Sequence, residues 1–237
     1  MSRKTATFGT RREVIYNEEH WENLKDKRER AKKVMGSLKS FDLRSLVYGS
    51  VARGDVTKNS DVDIFVPYKV PSYRIELALD GFQIIEKRIV QATPNYAIKG
   101  EFLLEDNTTV SFPLVKMRER ELDFYRFGGA LDYDLLINNE RVAGVDKRLI
   151  LIIPTENGHR EIPINEIQPS AVAKILNVGI EIVNERMRVL LRRREVGRTG
   201  IFLCETIPFD ESFESALNCI AAKNPVVRRM IKNGRLM

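Results

Sequence analysis

The densest concentration of potential chemistry in this chain lies between Tyr48 and Ile64. Gly49 and Ser50 are followed by ten residues, and then by Asp61-Val62-Asp63-Ile64. Asp61 and Asp63 are two apart in a segment that alternates acid and apolar residues, so on a strand both carboxylates leave by the same face. Two carboxylates held that close repel each other and are costly to ionise together. A hard divalent cation with oxygen ligands offsets that cost. Gly49 permits a tight bend and close approach of a ligand to the backbone. The amides around Gly49, Ser50 and Val51 are placed to receive phosphate oxygens. Phosphates on the bend and a cation on the acids lie side by side, the arrangement that phosphoryl or nucleotidyl transfer requires.

The surrounding elements are those needed to hold such a site. Asn17, followed by Glu18 and Glu19, predicts the start of a helix running to about residue 39. Residues 43–48 and 61–66 read as strands on either side of a loop rich in small polar residues. A short helix over 72–79 and three further strands over 82–92, 96–104 and 109–116 follow. Residues 117–127 read as a charged helix stopped by Gly128-Gly129. Leu149–Ile153 and His159–Ile164 read as a hairpin turning at Asn157-Gly158. From Pro169 the apolar pattern predicts one long, largely buried helix to about Arg194. A strand over 201–204 and two short helices, 211–223 and 226–232, complete the reading.

Gly-Ser, a spacer and Asp-apolar-Asp-apolar resembles the signature of the DNA polymerase beta superfamily of nucleotidyltransferases. The fuller pattern, Gly49-Ser50-x-Ala52-Arg53-Gly54 and Ser60-Asp61-x-Asp63, resembles the minimal nucleotidyltransferases of archaea and bacteria and the archaeal CCA-adding enzymes. The resemblance implies that Gly49 and Ser50 hold a nucleoside triphosphate, with Arg53 as a further phosphate contact. It implies that Asp61 and Asp63 bind Mg2+, for which Mn2+ can substitute, and that a nucleoside monophosphate passes to an acceptor hydroxyl with release of pyrophosphate. Family members usually carry a third acid on a later strand. In Thr109–Val115 that position is Ser111, a neutral hydroxyl. Glu101 is the first candidate replacement, ahead of Glu86 and then Asp132 or Asp134. If none serves, the alternative is a nucleotide- or RNA-binding relative that has lost transfer activity.

Composition bounds the remainder. The chain has 237 residues, 43% hydrophobic and 30% charged, with formal net charge +6. That is ample for a core, which excludes wholesale disorder. No apolar run is long enough to span a bilayer. Met1–Thr5 lead into no apolar stretch, which predicts no secretory leader. Cys204 and Cys219 form neither a metal-ligand spacing nor a disulfide framework. A cytoplasmic protein is expected. The basic excess sits at the two ends of the chain. Arg192, Arg193 and Arg194, with Arg198 beyond them, suggest contact with RNA phosphates, for which favourable charges at a helix end are the competing explanation. The expected fold is α+β: a nucleotidyltransferase-type mixed sheet with flanking helices over 1–120, then a hairpin and helical region over 121–237 that binds substrate.

Overall fold

The Asn17 side chain accepts a hydrogen bond from the His20 N–H at 2.9 Å, so the first long helix starts where its cap predicts. The computed structural model describes residues 10–197 and 200–235. In chain order it contains β1 (Arg12–Ile15), α1 (Glu18–Ser40), β2 (Leu46–Tyr48), α2 (Ser50–Arg53), β3 (Val62–Phe65) and α3 (Ser72–Ala78). Then come β4 (Ile84–Gln91), β5 (Lys99–Leu104), β6 (Thr108–Pro113), α4 (Glu119–Phe127), β7 (Ala130–Asp132) and α5 (Tyr133–Ile137). The rest comprises β8 (Gly144–Val145), β9 (Ile150–Thr155), β10 (Gly158–Pro163), α6 (Pro169–Leu176), α7 (Ile180–Val196), β11 (Leu203–Ile207), α8 (Phe213–Lys223) and α9 (Pro225–Arg235). Arg198 and the Met1–Thr5 segment lie outside the described residues.

The class is the expected α+β, organised on two sheets. The larger has the order β11-β4-β5-β6-β3-β2-β7 and is mixed, with β3 parallel to β6. The smaller is antiparallel, β1-β10-β9-β8. On one face of the larger sheet, Val47, Ile64, Val110, Phe102 and Ile89 meet Leu24, Met35 and Leu38 of α1 and Phe213 of α8 in one continuous core. A second core joins Leu151 of β9 to Phe127 of α4, Val172 of α6 and Ile182, Val183 and Leu190 of α7.

Two expectations change. The single helix from Pro169 is two helices, because Asn177 closes α6 in the left-handed region at φ 50° and Val178-Gly179 re-aim the chain before α7. The apolar pattern continues across that break and hides it. The hairpin turns at Glu156-Asn157, since Thr155 and Gly158 are paired. Gly158 is then a strand residue, and a Cβ there would lie 1.9 Å from the Val14 carbonyl oxygen, so glycine lets β1 pair with β10. In chain order, β7 and β11 come after residue 120 and join the larger sheet, and β1 comes before it and joins the smaller. Among the described residues no helix is long and apolar enough to cross a membrane.

Candidate active site

The site is assembled by strand register. Tyr48, the last residue of β2, pairs directly with Asp63 on β3. The bend that leaves β2 therefore begins beside the second aspartate. Gly49 adopts φ 81°, ψ −144°, a conformation that strains any other residue, and a Cβ there would meet nothing within 4 Å. Its glycine serves the backbone path, and the space above it is open. Ser50 opens α2, which Gly54 closes at φ 104°. From α1, the buried Arg28 donates to the carbonyls of Val51, Ala52 and Glu140 and so fixes α2 from below. Burial lowers its pKa to about 10. In the following loop the Ser60 hydroxyl accepts the Thr57 N–H at 2.8 Å, a turn-forming role.

Asp61 is exposed and Asp63 half-buried. Burial first, and then the neighbouring charge of Asp61, push the Asp63 carboxyl up to about 6; Lys147 and Lys99 oppose the shift, and Glu101 adds to it. Among the described residues neither aspartate forms an ion pair within 4 Å. Two adjacent carboxylates, one desolvated and neither neutralised, are a donor set suited to a divalent cation of the magnesium type. In that respect the residues present fit the ion.

The third acid is different. Paired residues share a face, so Phe65, Ser111, Glu101 and Arg88 form one row across β3, β6, β5 and β4 on the face that carries Asp63. Ser111 is buried and donates to the Ile64 carbonyl at 3.3 Å. Glu101 stands two strands from β3, about 10 Å by strand spacing, and its carboxylate accepts from Arg88 Nε at 2.7 Å. Glu86 accepts from Thr206, Asp132 caps α5 and Asp134 pairs with Lys39. Among the described residues no group of three or more His, Cys, Asp or Glu converges as a metal cluster.

Arg53 is buried and spoken for. Its Nε and Nη2 donate to the two Asp55 oxygens at 2.9 and 3.0 Å, and its Nη1 to the Gly128 carbonyl at 2.5 Å. It ties the bend to the Gly128-Gly129 segment. Replacing Arg53 by methionine leaves the half-buried Asp55 carboxylate without its partner, and a loss of about 3 kcal/mol is expected in urea melts. Loss of stability below about 0.5 kcal/mol, with substrate affinity reduced, would instead mark Arg53 as a phosphate contact.

Sequence reasoning missed several neighbours. Tyr125 of α4 stacks on Phe65 at 3.8 Å between centroids and meets Tyr48 edge-on, forming a wall beside Asp63. Gly49 N–H donates to the Gly129 carbonyl at 2.9 Å, and Gly144 of β8 lies against the Gly128–Gly129 backbone. The double glycine was legible only as a helix stop. Arg192 and Arg194 lie exposed near the end of α7, with Arg193 partly buried between them.

Residues 28–120, which contain the bend and both aspartates, match the family model described as nucleotidyltransferase domain. No match to a curated protein was found.

Proposed function

Taking residues 28–120 as a nucleotidyltransferase domain, we propose that the protein moves a nucleoside monophosphate from a nucleoside triphosphate to an acceptor hydroxyl, releasing pyrophosphate. The observation that carries this reading is the pairing of Tyr48 with Asp63, which sets the Gly49-Ser50 bend against the aspartates. Gly49 and Ser50 take the triphosphate through backbone amides and the Ser50 hydroxyl. Asp61 and Asp63 hold Mg2+, or Mn2+ in its place. When bound, the ion supplies charge neutralisation at the phosphates and a lowered pKa for the attacking hydroxyl. Glu101 acts on Asp63 through its charge, one of its oxygens held by Arg88. Tyr125 and Phe65 wall one side and exclude water from it.

The acceptor is an RNA 3′ end, a protein side chain or a small hydroxyl compound, with Arg192, Arg193 and Arg194 as the RNA contact in the first case. A second reading, nucleotide binding without transfer, is favoured by one observation: Ser111 occupies the third acid's place, and no third carboxylate converges among the described residues. Incubation with each labelled nucleoside triphosphate, Mg2+ and the three acceptor classes decides between them. Label incorporated by the wild type, and lost in the Asp61→Asn/Asp63→Asn variant, supports transfer. Binding of triphosphate with incorporation no greater than in that variant supports the second reading.

A further inference from the structure

Many of the chain's arginines are taken up inside the fold: Arg53 and Arg148 by carboxylates, Arg28 and Arg141 by main-chain carbonyls. Four on α7 are not. Among the described residues, the side chains of Arg186, Arg188, Arg192 and Arg193 form no hydrogen bond or ion pair. The helix also carries acids, but Glu185 is turned to Arg120 of α4 at 3.3 Å, and Glu181 and Glu195 pair with none of the four. Arg188 and Arg192 are exposed, and Arg193 is half-buried. Arg186 is half-buried too, its guanidinium carbon 4.9 Å from the centre of the Phe124 ring on α4. Burial first, and then the charge of Arg193, lower its pKa to about 10, while Glu185 opposes the shift. A desolvated cation beside a second cation, with no anion against it, is destabilising until an anionic ligand arrives.

We propose that the α4–α7 face binds a single-stranded polynucleotide, with Arg186 on Phe124 as its anchor and Arg188, Arg192 and Arg193 as further backbone contacts, and that the acceptor is therefore a nucleic-acid 3′ end. The second part rests on the transferase reading above; the binding surface does not. Three features favour this ligand over an acidic peptide or a lone phosphate. Every cation of α7 is an arginine, whose planar, forked guanidinium meets phosphate oxygens through two parallel N–H groups. Arg186 and Arg193 are seven residues apart, about 10 Å along the helix axis, a spacing that follows an extended polyanion. A guanidinium laid on an aromatic ring makes a flat platform on which nucleobases stack, and a carboxylate-bearing peptide has no use for it. The location agrees. Phe124 meets Tyr125 edge-on at 5.4 Å, Tyr125 meets Tyr48 edge-on at 4.8 Å, and Tyr48 pairs with Asp63. A strand seated on Arg186 thus lies a short chain of ring contacts from the aspartates.

The test is fluorescence anisotropy of the full chain across a salt series, with labelled oligouridylate and oligothymidylate of about 15 nucleotides and polyglutamate of equal charge as probes. The wild type should bind the better oligonucleotide at least about tenfold tighter than polyglutamate, and the tighter of the two names the strand as RNA or DNA. Arg186→Met, which keeps the packing on Phe124, should weaken that binding about tenfold and lower the salt slope by about one. It should melt no lower than the wild type, because an uncompensated charge has been removed. Arg186→Lys should restore the slope and only part of the affinity. The exposed pair Arg188→Ala/Arg192→Ala should also weaken binding about tenfold. Oligonucleotide affinity unchanged in Arg186→Met and in the double variant overturns the proposal, as does polyglutamate bound as tightly as the oligonucleotides. A wild type that binds neither oligonucleotide overturns it and leaves transfer to a protein side chain or small hydroxyl compound standing. Oligonucleotide bound by a wild type that binds no nucleoside triphosphate overturns the transferase reading and upholds this surface.

Discussion

Asp63→Asn is expected to cost about a thousandfold in transfer rate, roughly 4 kcal/mol of transition-state stabilisation, and at the same time to make the protein more stable above pH 6. The two effects have one cause. Burial and Asp61 hold the folded-state pKa of Asp63 at about 6, against an ordinary 3.8. Above pH 6 the group is ionised in both folded and unfolded chains, and the folded chain bears the cost of a desolvated, repelled charge. Below about pH 4 it is protonated in both, and that cost vanishes. For a raised carboxyl, stability therefore falls as pH rises from 4 to 6. Two pKa units correspond to on the order of 2 kcal/mol after allowance for partial exposure, or about 5 °C in Tm for a chain of this size. Asparagine removes the charge, so the variant should melt higher at pH 7.5 and level with the wild type at pH 4. Saturating Mg2+ should raise the wild-type Tm and leave the variant's unchanged. A variant melting below the wild type at pH 7.5 would mean that the Asp63 charge is already compensated without metal.

Gly144→Ala is expected to be strongly destabilising although it adds a single methyl group. The added Cβ would lie 2.5 Å from the Gly129 nitrogen and 2.6 Å from the Gly128 carbonyl carbon and oxygen. Those are backbone atoms held between α4 and β7, so nothing can swing aside. A cost of about 3 kcal/mol follows from overpacking of this kind. Relief by undocking β8 would shift Gly129, and with it the hydrogen bond that Gly49 makes. Transfer should fall more than tenfold even at temperatures where circular dichroism reports a folded protein, and triphosphate affinity should fall with it. Gly81→Ala is the control: a Cβ there meets nothing within 4 Å, and both properties should be unaltered. Equal behaviour of the two variants would show that the sheets are not coupled at this contact.

Local signals carried much of this architecture. Asn17 caps α1, the alternation in Val62–Phe65 makes β3, and the glycines at 49 and 54 bound a four-residue helix, all within one or two turns of chain. The bend and the aspartates were legible because their residue types and spacing are themselves the chemistry. What stayed hidden depends on partners far along the chain. Arg53 reads as a phosphate contact, and its bonds to Asp55 and the Gly128 carbonyl show only in the folded chain. Glu101 shares the right face but is two strands away and tied to Arg88, a matter of strand order that β-propensity does not contain. β1 finds β10 across more than 140 residues, made possible by the missing Cβ of Gly158. The left-handed Asn177 breaks a helix whose apolar pattern runs on without interruption.

The central claim is that Asp61 and Asp63 form a cation site against the Gly49-Ser50 bend. It is tested most directly by a crystal structure with Mn2+ and a non-hydrolysable nucleoside triphosphate, read by the anomalous signal of manganese. The account predicts a peak bonded to oxygens of both Asp61 and Asp63, at about 2.0–2.2 Å as for small hard cations, with the triphosphate on the amides after Gly49. Manganese bound elsewhere, or a triphosphate seated away from that bend, would contradict it.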